Sequence, residues 1–242
     1  MRRLILVGTA VFIVGLIFRF PAHVAYHWFA PDTVRLANVE GTIWNGSAAE
    51  ADLAGLYASQ LDWRFRPAAL FSGQLGFDLQ VNPAGGFLET QLGIGAGGRL
   101  TLDDARGGVA LDSLRDYLPL GGISGNVRID LQHLELENGV PVAADGTVEL
   151  LGLIAQAVAQ QPLGDYRAIL NSTDGAISGT LEDVSGMLDI AGSIRLSADR
   201  SYVLDGLVAP TAEAPSAMVN QLRILGSPNS RGQRQFRFEG QL

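Results

Sequence analysis

The chain has 242 residues, of which 30 are Gly, 10 are Pro and none is Cys, and its formal net charge is −8. The absence of Cys excludes disulfides, thiolate chemistry and cysteine metal sites. The acidic balance argues against nucleic acid as a partner, because phosphate binding needs a basic surface. Hydrophobic residues make up 47% of the chain, enough for a packed core and too many for a disordered chain.

The first element is the run Leu4–Phe18, LILVGTAVFIVGLIF, which carries no charge. Its apolar side chains are Leu4, Ile5, Leu6, Val7, Val11, Phe12, Ile13, Val14, Leu16, Ile17 and Phe18. As a helix it would be about 22 Å long at ~1.5 Å per residue, against a hydrocarbon core of about 30 Å. Arg3 and Arg19 can lift their charges toward the head groups along their apolar stems, and Tyr26, Trp28 and Phe29 suit the far interface. Arg2, Arg3 and the amino terminus mark the near side as cytoplasmic. A cleaved signal peptide would need a small-x-small site, and Arg19 and Pro21 stand where cleavage should fall. The sequence therefore predicts an uncleaved, single-pass inner-membrane anchor over residues 1–22, with the bulk of the chain in the periplasm.

Residues 23–32 read as a membrane-proximal connector. His23 and His27 would share one face of a helix, but no carboxylate or third His follows, so interfacial polar residues are expected rather than a metal pair. From residue 33 to 242 the period becomes two. VRLANVEGTIWNG alternates as a strand does. Leu61, Trp63 and Phe65 fall on one face, with Asp62, Arg64 and Arg66 on the other. Phe77, Leu79 and Val81 follow the same rule, as do Val127, Ile129 and Leu131 against Arg128, Asp130 and Gln132. Further runs cover Thr147–Ile154, Tyr166–Leu170, Ala176–Leu181, Met187–Leu196, Tyr202–Val208 and Phe236–Gln241. Turn residues bound them, with Asn138-Gly139 and Asp174-Gly175 as hairpin turns. The prediction is a mainly β chain: one amino-terminal transmembrane helix, then an elongated, curved antiparallel β-sheet domain with one or two short helices. Leu111–Leu118 and Pro215–Leu225 are the helix candidates, the latter with a buried stripe of Met218, Leu222 and Leu225. Pro67–Phe71 reads as a single turn.

Catalysis needs converging titratable groups, and the sequence offers none. The three His residues are His23, His27 and His133, and His133 reads as an exposed strand residue. The glycine run Gly93–Gly98 lacks the helix and acidic residue of a nucleotide fingerprint. Asp103-Asp104 and Glu182-Asp183 are adjacent, so on regular strands their carboxylates point to opposite faces. The expectation is no enzyme, no cofactor and no metal. Trp44 and Trp63 read as core aromatics of a first hairpin, with an apolar groove or partner surface as the functional alternative.

The anchor, then Gly41-Thr42-Ile43-Trp44-Asn45-Gly46, then Leu61-Asp62-Trp63-Arg64-Phe65-Arg66-Pro67 resemble the opening of the type II secretion system protein N family. The likeness continues through Gly125–Leu131, Pro162–Tyr166, Gln221–Pro228 and a terminal F-x-F-x-G. The family-motif residues are Gly41, Thr42, Trp44, Gly46, Trp63 and Pro67. The resemblance implies an accessory, non-catalytic inner-membrane component of general secretion in Gram-negative bacteria, with other type II secretion components as partners. The system moves folded proteins from the periplasm across the outer membrane. The chain is also distantly similar to AsmA-like periplasmic β-sheet proteins. That likeness implies a lipid-handling alternative in which Val127, Ile129, Leu131, Leu188 and Ile190 line an apolar groove.

Overall fold

The computed structural model describes residues 12, 15–30, 34–53, 56–83, 85–114, 122–156, 161–173 and 175–241. Of the expected anchor, Leu4, Ile5, Leu6, Val7, Val11, Ile13 and Val14 lie outside the described residues. Phe12, Leu16, Ile17 and Phe18 are helical and exposed. Among the described residues no helix is long and apolar enough to cross a membrane.

Among the described residues thirteen antiparallel strands form one sheet in sequence order. They are β1 (Val34–Gly41), β2 (Asn45–Leu53), β3 (Leu56–Arg66), β4 (Leu75–Pro83), β5 (Phe87–Ile94), β6 (Arg99–Ala110), β7 (Ile123–Glu137), β8 (Val140–Ala155), β9 (Gly164–Thr173), β10 (Ala176–Gly186), β11 (Leu188–Leu196), β12 (Ser201–Pro210) and β13 (Arg234–Gln241). Each strand pairs with its neighbours in the chain, so β1 and β13 are the two edges of an open sheet. Helix α1 (Ala22–Phe29) precedes β1, and α2 (Ser216–Gln221) lies in the β12–β13 connection. Turns of 3-10 helix occupy Pro67–Ser72, Leu111–Leu114 and Leu222–Leu225.

Alternation puts apolar side chains on one face and charges on the other. One cross-sheet row runs Val109–Val127–Leu150–Tyr166 through β6 to β9. A strict period of two would turn this face over halfway along β6 and β7, and two irregularities prevent that. The β5–β6 register shifts beside Asp104, which takes a φ of 51°, and the β7–β8 register shifts between Leu131 and His133. One extra residue flips every later side chain. Leu134 and Leu136, paired with Leu102 and Leu100, therefore rejoin the face of Val127, Ile129 and Leu131.

On this face, three clusters of buried side chains are found. Ala48, Ala51, Ala58, Leu61 and Val81 form the first. Val109, Leu111 and Val127 form the second, and Leu163, Tyr166 and Met218 the third. Leu150 and Leu153 pack against both of the last two, making them continuous. The opposite face carries a charge ladder. Arg128 meets Glu149 at 3.2 Å, Arg167 meets Glu149 at 2.9 Å, and Arg167 meets Glu182 at 3.3 Å. The hydrogen bond to Glu149 holds the Arg167 guanidinium pKa above its ordinary value.

The helices differ from the sequence expectation. Leu111–Leu118 yields a 3-10 turn over Leu111–Leu114, and residues 115–121 lie outside the described set. Pro215 caps α2 from outside it, and the helix tightens to 3-10 winding at Leu222. With about three residues per turn instead of 3.6, Leu225 leaves the line of Met218, while Leu222 stays half-buried. Met218 is 1% exposed while Leu225 is 37% exposed. The run VRLANVEGTIWNG is also broken: β1 ends at Gly41 and β2 begins at Asn45.

Candidate functional site

The residues between those two strands form a corner, and the sequence builds it one contact at a time. Gly41 takes φ +82°, and a Cβ there would sit 2.5 Å from the Asn45 carbonyl oxygen. The Thr42 hydroxyl accepts from the amides of Trp44 at 3.3 Å and Asn45 at 3.2 Å, which closes the turn. The Thr42 carbonyl in turn accepts from Trp63 Nε1 at 3.1 Å. Gly46 lies directly opposite Trp63 across the β2–β3 ladder. A Cβ on Gly46 would stand 2.5 Å from both the Glu40 carbonyl and Trp63 Cζ2. Only hydrogen fits beneath that indole.

Trp44 is the other half of the corner. Its Nε1 donates to the Ile17 carbonyl at 2.9 Å, and its carbonyl accepts from Phe65 N at 2.6 Å. Its ring meets Phe65 edge-on at 4.7 Å and tilts toward Phe18 at 6.3 Å. Ile43 N donates to the Phe20 carbonyl at 3.1 Å, and Pro21 bridges Thr42. The corner therefore clamps the end of the amino-terminal apolar run to the first strands. Pro67 opens the 3-10 turn after β3 with its φ already set. Gly41, Thr42, Trp44, Gly46 and Trp63 thus form one structure, a joint between the amino-terminal segment and the sheet, and Pro67 begins the turn beyond it.

Helix α1 continues the joint along the β1 edge. Tyr26 Oη accepts from Leu36 N at 3.0 Å, and Ala22 is buried. His23 and His27 are exposed on this helix, and among the described residues no group of three or more His, Cys, Asp or Glu could hold a metal. His133, expected as an exposed strand residue, instead lies half-buried within β7. Its Nδ1 is 2.7 Å from Asp103 Oδ1, on the charged face.

Four of the five groove candidates divide between two of the clusters, and Leu131 lies outside both. Val127 is buried in the second cluster with Ile129 against it, and Leu131 is buried beside Ala105. Leu188 and Ile190 pack in the third, around Met218 of α2. Tyr166 sits between the two groups. Burial, with Asp183 and Asp165 nearby, pushes its phenol up to about 12, and its hydroxyl donates to the Leu163 carbonyl at 3.2 Å. Sequence reasoning missed Ile17, Phe20 and Tyr26 as parts of the joint, because two of them contribute backbone carbonyls and no side-chain pattern marks those. It also missed Met218 as the plug over Leu188 and Ile190. The amphipathic α2 was visible, but not the strands beneath it.

The family model "Type II secretion system (T2SS), protein N" matches residues 32–237. The type II secretion system protein N of Aeromonas hydrophila is 25% identical over 218 residues, covering 88% of this chain and 86% of that protein. The protein of the same name from Vibrio cholerae serotype O1 is 25% identical over 250 residues, covering 98% of this chain and 97% of its own length. No solved structure matches the chain. The match runs from just before β1 into β13 and includes the Gly41–Gly46 corner, and the chain belongs to the type II secretion system protein N family.

Proposed function

We propose that the protein is an accessory, non-catalytic component of type II secretion, held in the inner membrane by its amino-terminal segment with the sheet in the periplasm. It supports the export of folded proteins by contact with other components of the machinery. The observation that carries this reading is the asymmetry of the sheet edges. Helix α1 lies along β1, and Tyr26 occupies the Leu36 amide there. β13 pairs with β12 alone among the described strands. A strand so placed has backbone donors and acceptors on its outer side ready for another strand. A photo-crosslinking residue at Phe238, 56% exposed on β13, is expected to form an adduct with another secretion component in cells. No adduct, together with unchanged secretion when the gene is deleted, would sink the proposal.

A second reading is a lipid-binding or lipid-transfer role for the apolar face. It is supported by the exposure of Leu75 (46%) and Ile94 (37%), paired neighbours on that face. The same face runs on through Val127, Ile129 and Leu131. Lipid reaching Leu188 and Ile190 would have to displace Met218. Mass spectrometry of the purified full chain tests this reading, and recovery with no lipid beyond a shell of added detergent counts against it.

A further inference from the structure

We infer that the turn Pro67–Ser72 is a second membrane contact, dipping Leu70 and Phe71 into the head-group boundary of the bilayer that receives the amino-terminal segment. The inference rests on the anchored reading above. Because strands alternate in direction, the turns divide between two ends of the sheet. One end holds the 41–45 corner, the 66–75 connection and the turns near 96, 138, 175 and 198. This is also the end where Ile17, Phe18 and Phe20 dock. Among the described turns there, Ala96–Gly98, Asn138–Gly139 and Ala198–Arg200 have small or polar tips. Pro67–Ser72, PAALFS, is different. It has no charge, Leu70 is 53% exposed and Phe71 is 97% exposed. Leu75 and Ile94 extend the patch.

Three observations favour a bilayer over water or a protein as the occupant. The patch is continuous with the amino-terminal segment, since Trp44 touches Phe18 and Ile17 on one side and Phe65 on the other. Phe65 is two residues from Pro67. The turn also satisfies its own backbone. Gly73 N donates to the Leu70 carbonyl and Gln74 N to the Ala69 carbonyl, both at 3.1 Å, and the Ser72 hydroxyl donates to the Ala69 carbonyl at 2.8 Å. An apolar tip can enter the interface only if such groups are paired. Finally, Arg19 and Arg64 are exposed at the same end, and Arg66, 3.5 Å from Asp78, adjoins the turn. Glu40 and Asp78 are exposed at this end too, so the arginines offset local negative charge in a chain of net charge −8, and the aromatic rings are what suit the interface.

The chain has no Cys, so Phe71→Cys gives a single labelling site at a residue whose side chain packs on almost nothing. The full-length variant is reconstituted into vesicles of phosphatidylethanolamine and phosphatidylglycerol and labelled with an environment-sensitive fluorophore. Nitroxide-bearing acyl chains serve as quencher. The control is Glu213→Cys, an exposed site at the opposite end of the strands. The expected result is a blue-shifted Phe71→Cys label quenched at least threefold more than the Glu213→Cys label. Equal quenching with the chain floating with the vesicles overturns the second contact and leaves the anchored reading intact. A blue shift without quenching by lipid also overturns it and assigns the patch to a protein surface. A chain that fails to float overturns the anchored reading and the contact with it.

Discussion

Gly46 has two neighbours that cannot yield, a backbone carbonyl and the indole of Trp63. Gly46→Ala is expected to destabilise the chain by about 1–3 kcal/mol, the usual cost of forcing extra atoms into a filled site. The measurement is the urea midpoint at unchanged slope. Tyr166 gives a pH test. Its phenol is pushed up to about 12 in the fold, while in the unfolded chain it titrates near 10. The folded protein therefore holds the proton more tightly. The corresponding stability is full below about pH 10 and is lost as pH rises from 10 toward 12. Guanidinium unfolding across that window should fall more steeply for the natural chain than for Tyr166→Phe; parallel curves would show that Tyr166 does not drive the loss. The opposite sign holds for Asp199, whose carboxyl is lowered by the hydroxyl and amide of Ser201. Its contribution is present above the ordinary carboxylate range and is lost on acidification.

Helix α2 is six residues long, too short to hold itself together without its contacts. Met218 is its one buried side chain and sits in the cluster of Leu163 and Tyr166. Met218→Ala should cost about 2–5 kcal/mol by the lost transfer energy and the remaining cavity. It should also raise proteolysis in the β12–β13 connection relative to the β-hairpin turns. The charge ladder behaves differently. Glu149 holds two arginines, but Arg128 keeps most of its surface in water at 63% exposure. Glu149→Gln is expected to cost no more than about 1 kcal/mol, shrinking further at high salt. A loss as large as that of Met218→Ala would show that charge rather than apolar packing joins these strands.

Across the molecule each inner strand is held by the two beside it, and among the described residues no strand closes the sheet. Stability then follows neighbours, as in a linear array, and openings are cheapest where a neighbour is missing. Amide exchange should be slowest in β6–β9, where the longest strands pair, and fastest in β13. β1 should exchange more slowly than β13 because α1 and the Trp44 corner cover it. Equal protection at both edges would argue against the joint as a stabilising structure. The same geometry gives the proposed secretion role its docking edge and leaves one long apolar face without a second sheet over it.

Several features were legible in the sequence because they depend on local rules. The period of two at Leu61–Phe65 and Val127–Leu131 and turn residues such as Asn138-Gly139 needed only side-chain order and backbone preference. Other features depended on residues far apart in the chain. That GTIWNG is a corner rather than a strand follows from Trp44 reaching Ile17 and Gly46 passing under Trp63. That Leu134 and Leu136 share a face with Val127 follows from an extra residue opposite β8, which no period reveals. Local chemistry thus determined that the chain would be strands with one apolar side. Register and long-range contact decided which residues share that side, which edge is left open, and how the amino-terminal segment is tied to the sheet, because a one-residue slip reverses every side chain that follows.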